Sequence, residues 1–273
     1  MAVTGHMTKD QVEQQPDAYI GTRRLLGDSA WGRLRSARVG VVGVGGVGSW
    51  AAEMLVRSGV AKVTLIDLDD VCITNVNRQL QALPGTVGRL KVEVLAQRLR
   101  SIAPDCEVRP VAEYFTAASA ERHLAWCPDG VVDAIDSIRH KTELVAACHR
   151  QGLAVVVAGA AGGRRDPCRL RCNDLARASH DPLLRELRKR LRRQHGFPAD
   201  GEGAFGIAAI HSDEPPGYPD PDRAGGVCDR LPAGARVGVA CDATMGSAGY
   251  VTAAFGMAAA ARLVEEITAM EPR

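Results

Sequence analysis

Aromatic side chains are scarce, with three Trp, four Tyr and four Phe among 273 residues. So few rings exclude a surface that reads single-stranded nucleic acid by stacking bases. No CxxC pair occurs, and the eight cysteines, at 72, 106, 127, 148, 168, 172, 228 and 241, are scattered through otherwise regular segments. That excludes a stapled disulfide scaffold and points to a reducing, cytoplasmic setting. Cys168 and Cys172 form a CxxxC on an expected strand, on one face and without a second pair, so no structural zinc is expected. The first twenty residues lack the apolar core of a signal peptide, and export is not expected. Residues 243–261 lack any charge over nearly a membrane-spanning length. Alanine and glycine supply most of them, and Arg262, Glu265 and Glu266 continue the pattern, so a buried core helix is expected and membrane insertion is not.

Net charge is also small, at +2, but it is unevenly placed. Residues 164–193 hold eleven Lys or Arg against four Asp or Glu, so the remaining chain sums to −5. A basic segment on a mildly acidic body implies a localised polyanion contact.

What the sequence does have is alternation. Strand-like apolar runs at 38–42, 62–66, 107–111, 131–134 and 154–158 are interleaved with helical patterns at 47–58, 88–102, 117–125 and 139–151. Such repeats predict an α/β fold built on a doubly wound, mostly parallel, Rossmann-like sheet. The expected organisation is an N-terminal helical arm (1–35), a nucleotide-binding core (36–163) and an extension (164–273) completing the same domain. That extension holds a basic helix at 182–194, capped by Asp181 with Pro182 in its first turn. A long Pro/Gly-rich loop at 198–235, with six of the fourteen prolines, and an apolar helix at 243–268 complete it.

The chemistry begins at Gly43, Gly45, Gly46 and Gly48, a turn whose backbone can approach a diphosphate while the next helix aims unpaired N–H groups at it. Asp67 ends the second strand, where a carboxylate accepts from ribose hydroxyls. To that point NAD, FAD and ATP fit equally. Asn75, Arg78 and Gln79 then follow on the loop leaving that strand, with Lys91 opening a helix. Cations there suit a triphosphate under attack, where negative charge builds on phosphoryl oxygens. Asp133 and Asp136, at the end of the fourth strand, are expected to point toward the nucleotide, with Asp136 either a magnesium-side carboxylate or the N-cap of the following helix. His180 and His211 are expected to be ordinary surface histidines.

The stretches "GVGGVGSWAAE", "LIDLDDVCITNVNRQ", "VGRLKVE" and "VDAIDSIRHK" resemble the ThiF/MoeB/HesA-type adenylating superfamily, which includes ubiquitin-activating enzymes and bacterial activators of sulfur-carrier proteins. Within it, "CNDLARASHDPLLRELRKRLRR" is similar to the tRNA-modifying branch. The resemblance implies ATP-dependent adenylation of a carboxylate, with Asp67 on the ribose, Arg78 and Lys91 on the triphosphate, and Asp136 on the magnesium side. In that branch it implies dehydration of N6-threonylcarbamoyladenosine in tRNA through an acyl-adenylate. The alternative is adenylation of the C-terminal glycine of a sulfur-carrier protein. Arg185, Arg188, Lys189, Arg192 and Arg193 are then the candidate RNA contacts.

Superfamily members are typically homodimers, which makes Arg24 the candidate for reaching a partner's site, although Ala18 stands where another arginine usually begins that pattern. ATP and Mg²⁺ are implied cofactors, with a monovalent cation a further candidate. Cys241 is read either as a reactive cysteine or as a small buried hydrophobe. In the reading of the chain as a catalytically silent scaffold, a sulfur-transfer partner docks through either Cys241 or the loop around residue 220. A catalytically silent scaffold and an NAD dehydrogenase are the remaining readings.

Overall fold

The computed structural model describes residues 17–220, 226–228 and 245–269. Five short apolar runs become the parallel strands β1 (Arg38–Val42), β2 (Lys62–Ile66), β3 (Glu107–Val111), β4 (Gly130–Asp133) and β5 (Val155–Ala158). Burial on both faces removes any need for apolar-polar alternation, and this is why β1, β4 and β5 read as continuous Val-rich stretches. The helices are α1 (Ile20–Leu26), α2 (Asp28–Ser36), α3 (Gly48–Arg57), α4 (Lys91–Ile102), α5 (Ala120–Leu124), α6 (Ile138–Gln151), α7 (Pro182–His195) and α8 (Gly249–Ala269).

Two later strands, β6 (Leu170–Asp174) and β7 (Ala208–Ser212), complete a seven-stranded sheet of order β3-β2-β1-β4-β5-β7-β6. All neighbours are parallel except β6 and β7. The order reverses at β1, which pairs with β2 on one side and β4 on the other. In an open sheet a crevice forms outside the carboxyl ends of the strands at such a point. Register sharpens the coincidence: Val42 lies beside both Ile66 and Asp133, so the chain leaves all three strands at one level.

One face of the sheet is covered by α3, α4 and α8, whose apolar residues share a core with β1 and β2. The other carries α6 and α7, with Leu184, Leu187 and Leu191 fully buried as their spacing predicts. Helix α8 lies very close to α3. A Cβ at Gly256 would come within 2.4 Å of Val47 O and 2.8 Å of Trp50 Cβ, so this crossing accepts no side chain there. No helix among the described residues is long and apolar enough to cross a membrane.

Four expectations change. The 198–235 segment is not one long loop, because Ala208–Ser212 forms β7, an internal strand, and Tyr218–Pro219 pairs with Val227–Cys228. Its alanines and its burial on both faces hid it among glycines and prolines. The apolar helix begins at Gly249 and not at 243, since Gly246–Ala248 run in irregular conformation. Helix α4 begins at Lys91 and not at 88, because Gly88 takes φ +82° and Leu90 bridges to Asp70 as a strand-like pair. Cys168 sits in a 3-10 turn (Pro167–Arg169) ahead of β6, while Cys172 is within the strand, so the two do not share one strand face.

Candidate functional site

At the strand-order reversal lies a cleft of about 820 Å³. Its floor is the turn from β1 into α3. Gly43 takes φ +84°, and a Cβ there would stand 2.7 Å from Ala134 O, so the turn can nest against the end of β4 only as glycine. Gly43, Gly45 and Gly46 line the cleft, while Gly48 is buried as the first residue of α3.

Asp67, one residue beyond β2, closes the turn from the side. Its Oδ2 accepts from Val44 N at 2.8 Å and its Oδ1 from Asp69 N at 2.9 Å. Burial pushes this carboxyl above its ordinary range, opposed by Lys91 and the two backbone N–H groups. Each oxygen keeps a further lone pair for a ligand hydroxyl. Asp69, two residues on, forms an ion pair of 2.7 Å with the largely buried Lys91 Nζ, and its carbonyl accepts from Lys91 N at 3.0 Å.

The loop after β2 is pinned to the glycine turn by side chains absent from the sequence prediction. Gln81 Nε2 donates to Val44 O at 2.7 Å, and Trp50 Nε1 to Arg78 O at 3.1 Å. Asn75 is buried, and its Oδ1 accepts from Cys72 N at 3.1 Å, making the loop's short 3-10 turn (Ile73–Asn75). Gln79 is buried beside it and takes the Gln81 amide at 3.2 Å. Arg78 lays its stem over Gly46 and donates through Nη1 to Thr74 O and Asn77 Oδ1, each at 2.9 Å.

On the far side of β1, Asp136 reaches the cleft from the loop between β4 and α6. It is exposed, and no hydrogen bond or ion pair engages its carboxylate among the described residues. Ser137, not Asp136, holds the N-cap position of α6, so the capping alternative falls. Asp133 is corrected as well. It is fully buried beneath the loop, forms a 3.0 Å ion pair with the equally buried Lys141, and accepts from Ile135 N at 3.1 Å. Lys141 Nζ also donates to Ile135 O at 2.9 Å, so this pair fixes the loop that presents Asp136. Tyr114 and His140, with ring centroids 5.7 Å apart, stand at the rim.

The cleft thus gathers Gly43, Gly45, Gly46, Asp67, Asn75, Arg78, Gln79, Lys91 and Asp136. Arg24 does not join them. It is exposed on α1, next to Arg23, which pairs with Asp28 at 2.6 Å. Cys241 lies outside the described residues.

Of the five basic candidates on α7, Arg185, Lys189 and Arg193 are exposed. Arg192 is bound into the fold by Pro198 O (3.0 Å) and Asp200 (2.9 Å), and Arg188 is half-buried. His211 is not a surface histidine. It is buried on β7 with Nε2 2.9 Å from Asn173 Oδ1, and burial holds it below its ordinary value. His180 is exposed, as expected.

The missed residues Asp69, Gln81, Trp50 and Lys141 act by holding other groups. Asp69 alone left a signal, standing two residues beyond Asp67, where an extended chain repeats its facing.

Together the cleft presents backbone N–H groups, two cations and an unengaged carboxylate, the donor set that a nucleoside triphosphate and a hard divalent cation require. The sequence model of the ThiF family matches residues 20–272. A tRNA threonylcarbamoyladenosine dehydratase of Escherichia coli is 41% identical over 256 residues, covering 93% of this chain and 95% of that protein. The dehydratase of Haemophilus influenzae is 36% identical and covers 98% of both. A solved structure of the E. coli tRNA N6-threonylcarbamoyladenosine dehydratase in complex with ATP superposes with a TM-score of 0.81 at 36% identity, covering 97% of this chain and 98% of that one. The same enzyme with AMP gives 0.82.

Proposed function

We propose, from the premise that this chain belongs to the ThiF family, that it is an ATP-dependent enzyme that dehydrates N6-threonylcarbamoyladenosine in tRNA. The observation that carries the reading is the convergence of the glycine turn, Arg78, Lys91 and Asp136 on one cleft. A nicotinamide needs its ring shielded, whereas these cations match phosphoryl oxygens on which charge develops.

A carboxylate is a poor electrophile because hydroxide leaves badly. Its oxygen attacks the α-phosphorus of ATP, pyrophosphate departs, and an acyl-adenylate results. A nucleophilic atom of the same threonylcarbamoyl arm then attacks the activated carbonyl, closing a ring and expelling AMP, for a net loss of water. Ring closure within one side chain is effectively unimolecular, so the protein need not supply a strong nucleophile.

The turn from Gly43 to Gly48 supports the phosphates by backbone N–H groups, and Asp67 accepts from the ribose. Arg78 and Lys91 stabilise charge on the phosphoryl oxygens, with Asp69 keeping Lys91 in place until phosphate competes for it. The unengaged Asp136 carboxylate fits Mg²⁺, which binds through one or two carboxylates plus phosphate oxygens. When bound, that ion neutralises phosphate charge.

The exposed Arg185, Lys189 and Arg193 offer the phosphates of a folded RNA a charged face. A second copy of the chain supplies Arg24, which is exposed and does not line its own cleft. The scattered cysteines and a tRNA substrate support a cytoplasmic setting.

The test is to supply ATP and Mg²⁺ with either modified or unmodified tRNA. AMP release with the threonylcarbamoylated tRNA alone is expected. Release that instead requires a small carrier protein with a C-terminal glycine sinks the assignment.

A further inference from the structure

A second cavity, of about 270 Å³, opens beside the start of α7. His180, Arg185 and Arg188 line one side, and Pro215, Pro216 and Tyr218 the other. Asp181 is the one carboxylate in its wall, and both oxygens are engaged. Oδ1 accepts from Leu184 N at 3.0 Å, while Oδ2 accepts from Ala160 N at 2.9 Å and faces Arg164 at 3.6 Å.

The arginines are less well served. Neither Arg185 nor Arg188 has an ion pair among the described residues, and Arg188's one hydrogen bond is a long 3.4 Å contact with Leu175 O. Burial holds the Arg188 guanidinium below its ordinary value, and Arg192 adds to the effect. A half-buried cation short of an acceptor gains from a ligand that completes its hydrogen bonds.

The cavity also stands next to the chemistry. Leu183 and Ala160 line the main cleft, whereas Pro182 and Arg185 line this one, so the first turn of α7 borders both cavities. We propose that this cavity seats a backbone phosphodiester of the RNA substrate, adjacent to the nucleoside whose carboxylate enters the main cleft. Arg185 and Arg188 grip its non-bridging oxygens, and His180 closes the rim. The inference rests on the RNA reading above, but its test does not depend on turnover.

Affinity for threonylcarbamoylated tRNA is measured over a range of salt for the whole protein, Arg185→Ala, Arg188→Gln, and Lys189→Ala/Arg193→Ala on the outer face of the same helix. ATP affinity, measured alongside, reports that each variant is folded. Tenfold or greater weakening is expected for each cavity variant, with the slope of log affinity against log salt reduced by about one. The outer pair, part of the charged face but outside the cavity, is expected to lose less, about threefold. Equal losses in all variants, or unchanged affinity in Arg185→Ala and Arg188→Gln, overturn the proposal. Inorganic phosphate is the second probe: weak, millimolar competition with tRNA supports an RNA phosphate, while tight binding without RNA makes this a free-phosphate site and overturns the proposal. If tRNA binds as expected but no AMP is released, the reaction assignment fails and this one stands.

Discussion

Arg78 and Asp136 approach the nucleotide cleft from loops on either side of β1, and neither supports the core. Arg78→Ala or Asp136→Ala is therefore expected to lower ATP–pyrophosphate exchange by 100-fold or more, with stability reduced by about 0.5 kcal/mol or less for Asp136 and by about 1–2 kcal/mol for Arg78, whose guanidinium holds Thr74 O and Asn77 Oδ1. Near-normal exchange in either variant removes that residue from the mechanism. Glu53 is the converse case, a structural carboxylate on α3, the helix that follows the glycine turn. It is buried and held by Arg98 at 2.6 Å and Arg57 at 2.8 Å. Burial alone raises its carboxyl, but the two guanidiniums outweigh it and the net position is below the ordinary value. The unfolded chain then binds more protons, so Glu53's contribution is complete above about pH 5 and is lost as pH falls through the depressed folded value. Acid titration of the melting temperature checks this: Glu53→Gln is expected to flatten the loss near pH 4, and an unchanged profile assigns the acid sensitivity elsewhere.

At the scale of elements, the loop between β4 and α6 depends on the buried Asp133–Lys141 pair. Lys141→Met leaves an uncompensated buried carboxylate and is expected to cost about 3–5 kcal/mol, whereas Asp133→Asn with Lys141→Met is expected to cost less than that single change. Denaturant melts of these two variants and of Asp133→Asn alone decide it, and additive losses mean that the two side chains do not act together. This pair also shows why the sequence reading reached some elements and not others.

The runs that became β1, β2 and β3 are legible to the residue, since each is bounded by a turn or a proline. Asp67, Lys91 and Asp136 are legible because each stands beside a strand end or a helix start, whereas Arg78 is read from the motif around it in the loop after β2. Asp133 misleads, because a one-dimensional pattern cannot distinguish an acid facing a ligand from one facing a lysine eight residues later. Strand β7 and the start of α8 are opaque for another reason: alanine and glycine carry neither period nor cap.

For the molecule as a whole, a short segment of chain serves two cavities. Asp181 caps α7 through Leu184 N, binds Ala160 N in the wall of the nucleotide cleft, and faces the buried Arg164. Arg164 in turn donates to the carbonyls of Ala160, Gly162 and His180. If occupancy of either cavity is felt at this hub, the two affinities are coupled, and the coupling is then reciprocal. ATP is expected to tighten tRNA binding by the same factor by which tRNA tightens ATP, and Asp181→Asn is expected to shrink that factor toward one. Calorimetric titrations in both orders provide the measurement, and a factor that survives the substitution rules the hub out. If the factor does shrink, a lone carboxylate would let the enzyme hold its fuel tightly once the molecule to be modified has arrived.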